Sequence, residues 1–94
     1  MWAVTAVVAV PPGASPEALR SALEEGAVPA ARDADGVVSA YWTLSDDRTT
    51  GIGFTVFATE DRARARAAEL EVGAPAPGGA TITAVHLLEV LARI

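Results

Sequence analysis

The sequence has no cysteine, no lysine, no asparagine and no glutamine. Without cysteine there is no disulfide frame, no thiolate metal ligand and no cysteine nucleophile. Without lysine, positive charge rests on seven arginines against twelve acids, a net −5. A nucleic-acid binder needs a positive stripe, so that class is excluded. Long apolar runs are missing too. Met1 to Val10 is almost entirely apolar, but a membrane helix needs about 20 such residues. No basic residue precedes Pro11, whereas a secretory signal opens with one. The segment reads as a buried strand, with no membrane partner and a cytoplasmic address.

What is present is a 94-residue chain, 51% apolar, with 21 alanines. That length fits one domain spanning residues 1–94, and that apolar share is too high for a disordered chain. So short a chain buries only about 60–65% of its unfolded surface, so its stability margin is thin.

Trp2 to Val10 is rich in β-branched valine and reads as a strand, stopped by Pro11, Pro12 and Gly13. Ser15-Pro16-Glu17 is a helix start. The serine oxygen caps a free amide, proline suits the first turn, and the acid suits the positive dipole end. Ala18, Leu19, Ala22, Leu23, Ala27, Ala30 and Ala31 then make one apolar face. Gly26 and Pro29 interrupt it, and a kink or early end is expected at Pro29. After a turn at 33–36, Val37 to Thr43 reads as a second strand. Leu44 to Thr50 is a charged hairpin connection, and Gly51 to Ala58 is a third strand. Thr59-Glu60-Asp61 repeats the cap signal and opens a helix to about Val72. Its Ala63, Ala67 and Leu70 are expected inward, and Arg62, Arg66 and Glu69 outward. Gly73 to Thr81 reads as a loop, and Ile82 to Ala92 as the last strand.

The order β-α-β-β-α-β with right-handed crossovers predicts an α+β, ferredoxin-like βαββαβ fold. In it a four-stranded antiparallel sheet carries two helices on one face, with the first and third strands central. Two helices cover one side of a sheet about 19 Å wide, and nothing remains for the other. Yet the strands are apolar on both sides. Trp2, Val4, Ala6 and Val8 alternate with Ala3, Val7 and Ala9. Ile82, Ala84, Leu88 and Val90 alternate with Val85, Leu87 and Leu91. An open apolar face of that size marks an interface, and two-fold symmetry is the commonest solution. The expected partner is a second copy of the chain; the alternative is a monomer with many exposed alanines and valines.

Two stretches resemble the dimeric α/β-barrel superfamily, which includes the antibiotic biosynthesis monooxygenase-like and stress-responsive barrel proteins. One is Asp35-Gly36-Val37-Val38-Ser39-Ala40-Tyr41-Trp42, a turn glycine entering a strand that ends in aromatics. The other is Thr55-Val56-Phe57-Ala58-Thr59-Glu60-Asp61-Arg62-Ala63, a strand running into an acid-started, alanine-rich helix. The resemblance implies a homodimer with two sheets face to face. It also brings in cofactor-independent oxidation of aromatic polyketides and haem degradation. Both activities lean on an asparagine in that superfamily, and this sequence has none.

Three residues are candidates for chemistry. His86, the only histidine, is a candidate general base, or else an edge or interface histidine satisfied by backbone or water. Tyr41 and Trp42 are adjacent and must face opposite ways. They make an aromatic wall for a planar ligand, or else they fill space in an alanine-rich interior. A second histidine or a cysteine is lacking, so no metal and no cofactor is expected. The reading favoured is a small homodimeric barrel protein that binds an apolar or aromatic small molecule between sheet and helices. The alternative is an enzyme, a cofactor-independent monooxygenase or an isomerase or cyclase of a polyketide-like metabolite, with His86 as base and Tyr41 or Trp42 as wall.

Overall fold

Strand β1 (Trp2–Ala9) lies at the centre of one antiparallel sheet. A computed structural model describes all of residues 1–94. Around β1 the strand order is β2-β3-β1-β5-β4, with β2 at Val37–Leu44, β3 at Thr50–Phe57, β4 at Pro75–Ala76 and β5 at Ala80–Glu89. All four pairings are antiparallel. The fold is therefore α+β, as expected, but the sheet has five strands and not four. The fifth is the two-residue β4, read from sequence as loop. The Gly73 amide donates to the Ile82 carbonyl at 2.7 Å, and the Ile82 amide to the Ala74 carbonyl at 2.9 Å. Those bonds lay the Pro75–Ala76 segment along β5, and its proline-flanked sequence suits a sheet edge.

The helical layer differs in one place. The first helix is broken into α1 (Pro16–Glu25) and α2 (Ala27–Asp33), and the break falls at Gly26, not at Pro29. Pro29 sits in the first turn of α2, where a missing amide hydrogen costs no internal bond. The other caps form as read. The Ala18 amide donates to Ser15 Oγ at 3.1 Å, and the Arg62 amide to Thr59 Oγ1 at 3.3 Å, opening α3 (Glu60–Glu69).

The pairing register fixes which residues share a face. Trp2, Val4, Ala6 and Val8 of β1 stand opposite Phe57, Thr55, Gly53 and Gly51 of β3. Val4, Phe57 and Ala63 of α3 form a small core, with Trp2, Val37, Ala67, Leu70, Val85 and Leu87 packed against it, so this is the helix-covered side. The opposite side carries Ala3, Thr5, Val7 and Ala9 of β1, opposite Val56, Phe54, Ile52 and Thr50 of β3. One expected alternation fails. Val7 pairs with Ala84 but Val8 with Ile82, so Thr83 bulges out. The bulge turns Ile82 to the helix-covered side, away from His86. Strand β5 also stops at Glu89, short of the expected Ala92; past it the Val90 amide donates to the Met1 carbonyl at 3.0 Å.

Candidate functional site

The small side chains of α1 and α2 leave the helices standing off the sheet. Neither helix contributes a single buried residue. Between them and the sheet lies a cavity of about 870 Å³. Its floor is Val4, Ala6 and Val8 of β1 with Gly51, Gly53, Thr55 and Phe57 of β3. Its roof is Leu19, Leu23, Ala27, Ala30 and Ala31, and Leu70, Pro75, Ala76 and Ile82 close one side. Packed interiors hold few voids larger than a water molecule, so an opening of this size matches a small-molecule site.

Trp42 reaches the cavity from β2, opposite Gly53 of β3. A methyl group on Gly53 would stand 3.3 Å from the indole Cδ1 and 3.4 Å from Nε1. The missing side chain thus lets the indole lie down over β3. Gly51 is tighter, its would-be methyl 3.0 Å from Val8 and 3.2 Å from the Thr43 carbonyl. These two glycines deepen the floor.

The charged residues at the cavity are Arg20 of α1, Asp35 beside β2, and Arg62, Arg66 and Glu69 of α3. Arg62 pairs with Asp35 at 3.2 Å, and Arg66 with Glu69 at 3.0 Å. Both pairs are largely solvent-exposed and so stabilise little, and each engages one oxygen of its carboxylate. Arg20 has no ion pair and no side-chain hydrogen bond, and neither does the Trp42 indole N–H or the Thr55 hydroxyl. Arg62 and Arg66 are exposed, as read, and stand at the cavity rim, one helical turn apart on the same side of α3.

The three residues singled out from sequence do not meet. Trp42 lines the cavity. Tyr41, its neighbour, projects from the opposite side of the sheet and is 65% exposed. His86 stands on that same open side, opposite Thr5, and is exposed. It lies three strands from Tyr41, about 14 Å across the sheet. The sheet thus separates His86 from Trp42. Two residues of the cavity escaped the sequence reading as site groups, Thr55 and Arg20. The alternation of β3 did place Thr55 on the side of Gly53 and Phe57, so its facing was readable; the hollow above it was not. No three histidine or carboxylate side chains converge on one point.

The open side is apolar and poorly covered. Ile52 is 41% exposed and Leu88 is 42% exposed, and Tyr41 and Val38 stand out with them. Only eight of the 94 residues are buried in the single chain. No helix is long and apolar enough to cross a membrane.

The fold has a counterpart among solved structures. The structure of Rv0793 from Mycobacterium tuberculosis matches with a TM-score of 0.61 and 25% identity, over 98% of this chain and 96% of that one. No protein-family model matches the chain. No curated protein matches it.

Proposed function

We propose that the chain acts as a homodimer whose sheets meet through their open faces, each protomer binding an apolar or aromatic small molecule between sheet and helices. This is the ferredoxin-like, dimeric α/β-barrel arrangement, with the edge strand β4 added to the four-stranded pattern. The observation that carries the reading is the pairing of an 870 Å³ apolar cavity on one side of the sheet with an uncovered apolar layer on the other. An open face of four strands, eight residues long, measures roughly 19 by 26 Å, or about 500 Å² a side. That reaches the lower edge of a stable interface, about 1,000 Å² in total. The tail beyond β5 supplies more, since Leu91 is 86% exposed and Ile94 fully so.

The separation of His86 from Trp42 favours binding over catalysis. A base and an aromatic wall serve one reaction only when both touch the same molecule. His86 faces the proposed partner and not the cavity.

Sedimentation equilibrium tests the assembly. The expected particle has twice the 9.6 kDa mass of the chain. Ile52→Arg with Leu88→Arg, placed on the open face, is expected to give a monomer or an unfolded chain. A stably folded 9.6 kDa particle from the parent sequence overturns the dimer. For the cavity, an apolar fluorescent probe is expected to bind the parent and to lose affinity in Ala31→Trp, which fills the space. Equal binding by both proteins removes the cavity from consideration.

A further inference from the structure

We infer that the molecule held in the cavity is an apolar acid, a hydrocarbon or ring body carrying one carboxylate, with Arg20 as the group that selects its charge. This rests on the reading of the cavity as a ligand site. The chemistry comes from what the lining leaves unsatisfied. Its two carboxylates, Asp35 and Glu69, each pair through one oxygen with an arginine of α3. Thr43, at the far end, already donates its hydroxyl to the Ile52 carbonyl at 2.9 Å. The side-chain groups left without a protein partner are the guanidinium of Arg20, an exposed residue at the cavity rim, and the Trp42 indole N–H and Thr55 hydroxyl of two half-buried residues. Two of these only donate, and the third can. A ligand that fits such a lining must bring acceptors. The acceptors that remain belong to carboxylates already paired with arginine, through Asp35 Oδ1 and Glu69 Oε1, or to hydroxyls, so no unpaired anion waits there for a cationic ligand.

Charge points the same way. Three arginines and two carboxylates line the cavity, so its own balance is 3 − 2 = +1. The chain as a whole carries −5. The unbalanced positive charge is the one on Arg20, a planar fork that matches a carboxylate through two parallel bonds. The rest of the wall is mostly alanine, valine, leucine, isoleucine, proline and glycine, with the Phe57 and Trp42 rings among them. One anionic head on an apolar body satisfies both halves of this lining.

The test uses the full-length protein with Trp2→Phe, which leaves Trp42 as the reporting fluorophore. Decanoate and 2-naphthoate are compared with decan-1-ol and 2-naphthol by titration calorimetry and Trp42 fluorescence. Both carboxylates are expected to bind at least tenfold tighter than their alcohols, and to weaken as salt rises. Tighter binding of naphthoate than decanoate assigns the body to a ring, and the reverse to a chain. Arg20→Gln is expected to erase the preference and Arg20→Lys to keep part of it, while circular dichroism checks that both fold. If acids and alcohols bind equally, the acid is wrong and the cavity reading survives. A preference that persists in Arg20→Gln overturns the role of Arg20. If none of the four binds, both readings fall.

Discussion

Two halves of the helical layer sit on one sheet and behave differently. Helix α3 packs down. Its Ala63 is fully buried against Val4 and Phe57, and Ala67 and Leu70 join the same cluster. Helices α1 and α2 are alanine-rich too, yet hold no fully buried residue and span a hollow. Alanine alone therefore does not decide the outcome. A small side chain lets a helix approach closely where large neighbours such as Phe57 rise to meet it. Over the glycines of β3 no such neighbour rises, and the same small side chains leave empty space. What holds α1 in place is its flank, where Leu19 lies over Gly78 in the turn at Pro77–Gly79. The comparison teaches that one face of the sheet is divided into a structural part and a receptive part.

The largest effect expected in breaking this contrast is at Phe57, where the two halves meet. It is 4% exposed and borders both the core and the cavity. Phe57→Ala is expected to cost about 3–5 kcal/mol, near the upper end because the hollow beside it lets nothing collapse inward. A domain of this size is worth roughly 5–14 kcal/mol in all. Urea denaturation measures the loss. A change below about 1 kcal/mol would show that the small core does not carry the fold.

Next in size is the clasp on α1. Gly78 has φ +77, and a methyl group there would stand 2.5 Å from Leu19 Cδ2. Gly78→Ala is expected to cost about 1–2 kcal/mol from the backbone alone. It should also speed amide exchange in α1 and α2 while leaving α3 protected. Uniform exchange in all three helices would deny that α1 hangs on this contact. The opposite sign is expected at Ala31, which roofs the cavity. Ala31→Leu should stabilise the apo protein by up to about 1 kcal/mol, because the added carbons enter empty apolar space. Made at Ala63, the same change should destabilise it, since that position is already full.

Much of this arrangement was legible in the chain. Ser15 and Thr59 each announced a helix because a hydroxyl ahead of an acid has a local task at a helix start. Two-residue alternation correctly sent Trp42 and Tyr41 to opposite sides, and Thr55 to the side of Gly53 and Phe57. Other features depend on partners distant in sequence. Strand β4 exists only because Ile82 bonds backward to Gly73 and Ala74. The bulge at Thr83 comes from the register with β1, not from any residue preference. It breaks the alternation that grouped Ile82 with His86. The free state of Arg20 is likewise invisible in sequence. Three arginines and two acids can pair in several ways, and only the approach of the turn before β2 to α3, with Gly36 beside the Arg62 side chain, assigns Asp35 to Arg62.

The smallest effect lies at the tip of the β2–β3 hairpin, where hydrogen bonds stand in for packing. Asp47 Oδ1 accepts from the Ser45 hydroxyl at 2.7 Å, the Thr49 hydroxyl at 2.7 Å and the Thr49 amide at 3.1 Å. These bonds, the one from Ser45 foremost, hold its carboxyl below the ordinary value of 3.8. A depressed folded value means the charged form is favoured by folding. The contribution is therefore complete above the unfolded value and fades as pH falls through the folded one. Asp47→Asn should be less stable than the parent by a constant margin from pH 7 down to about 4, and the margin should shrink below that. Thermal melts of both proteins across this range measure it, with the other carboxylates common to each. A margin that widens on acidification would mean the tip does not prefer the carboxylate. Equal stability throughout would show that the hairpin end is held by the Ser45–Thr50 backbone bond at 2.8 Å without help from the side chain.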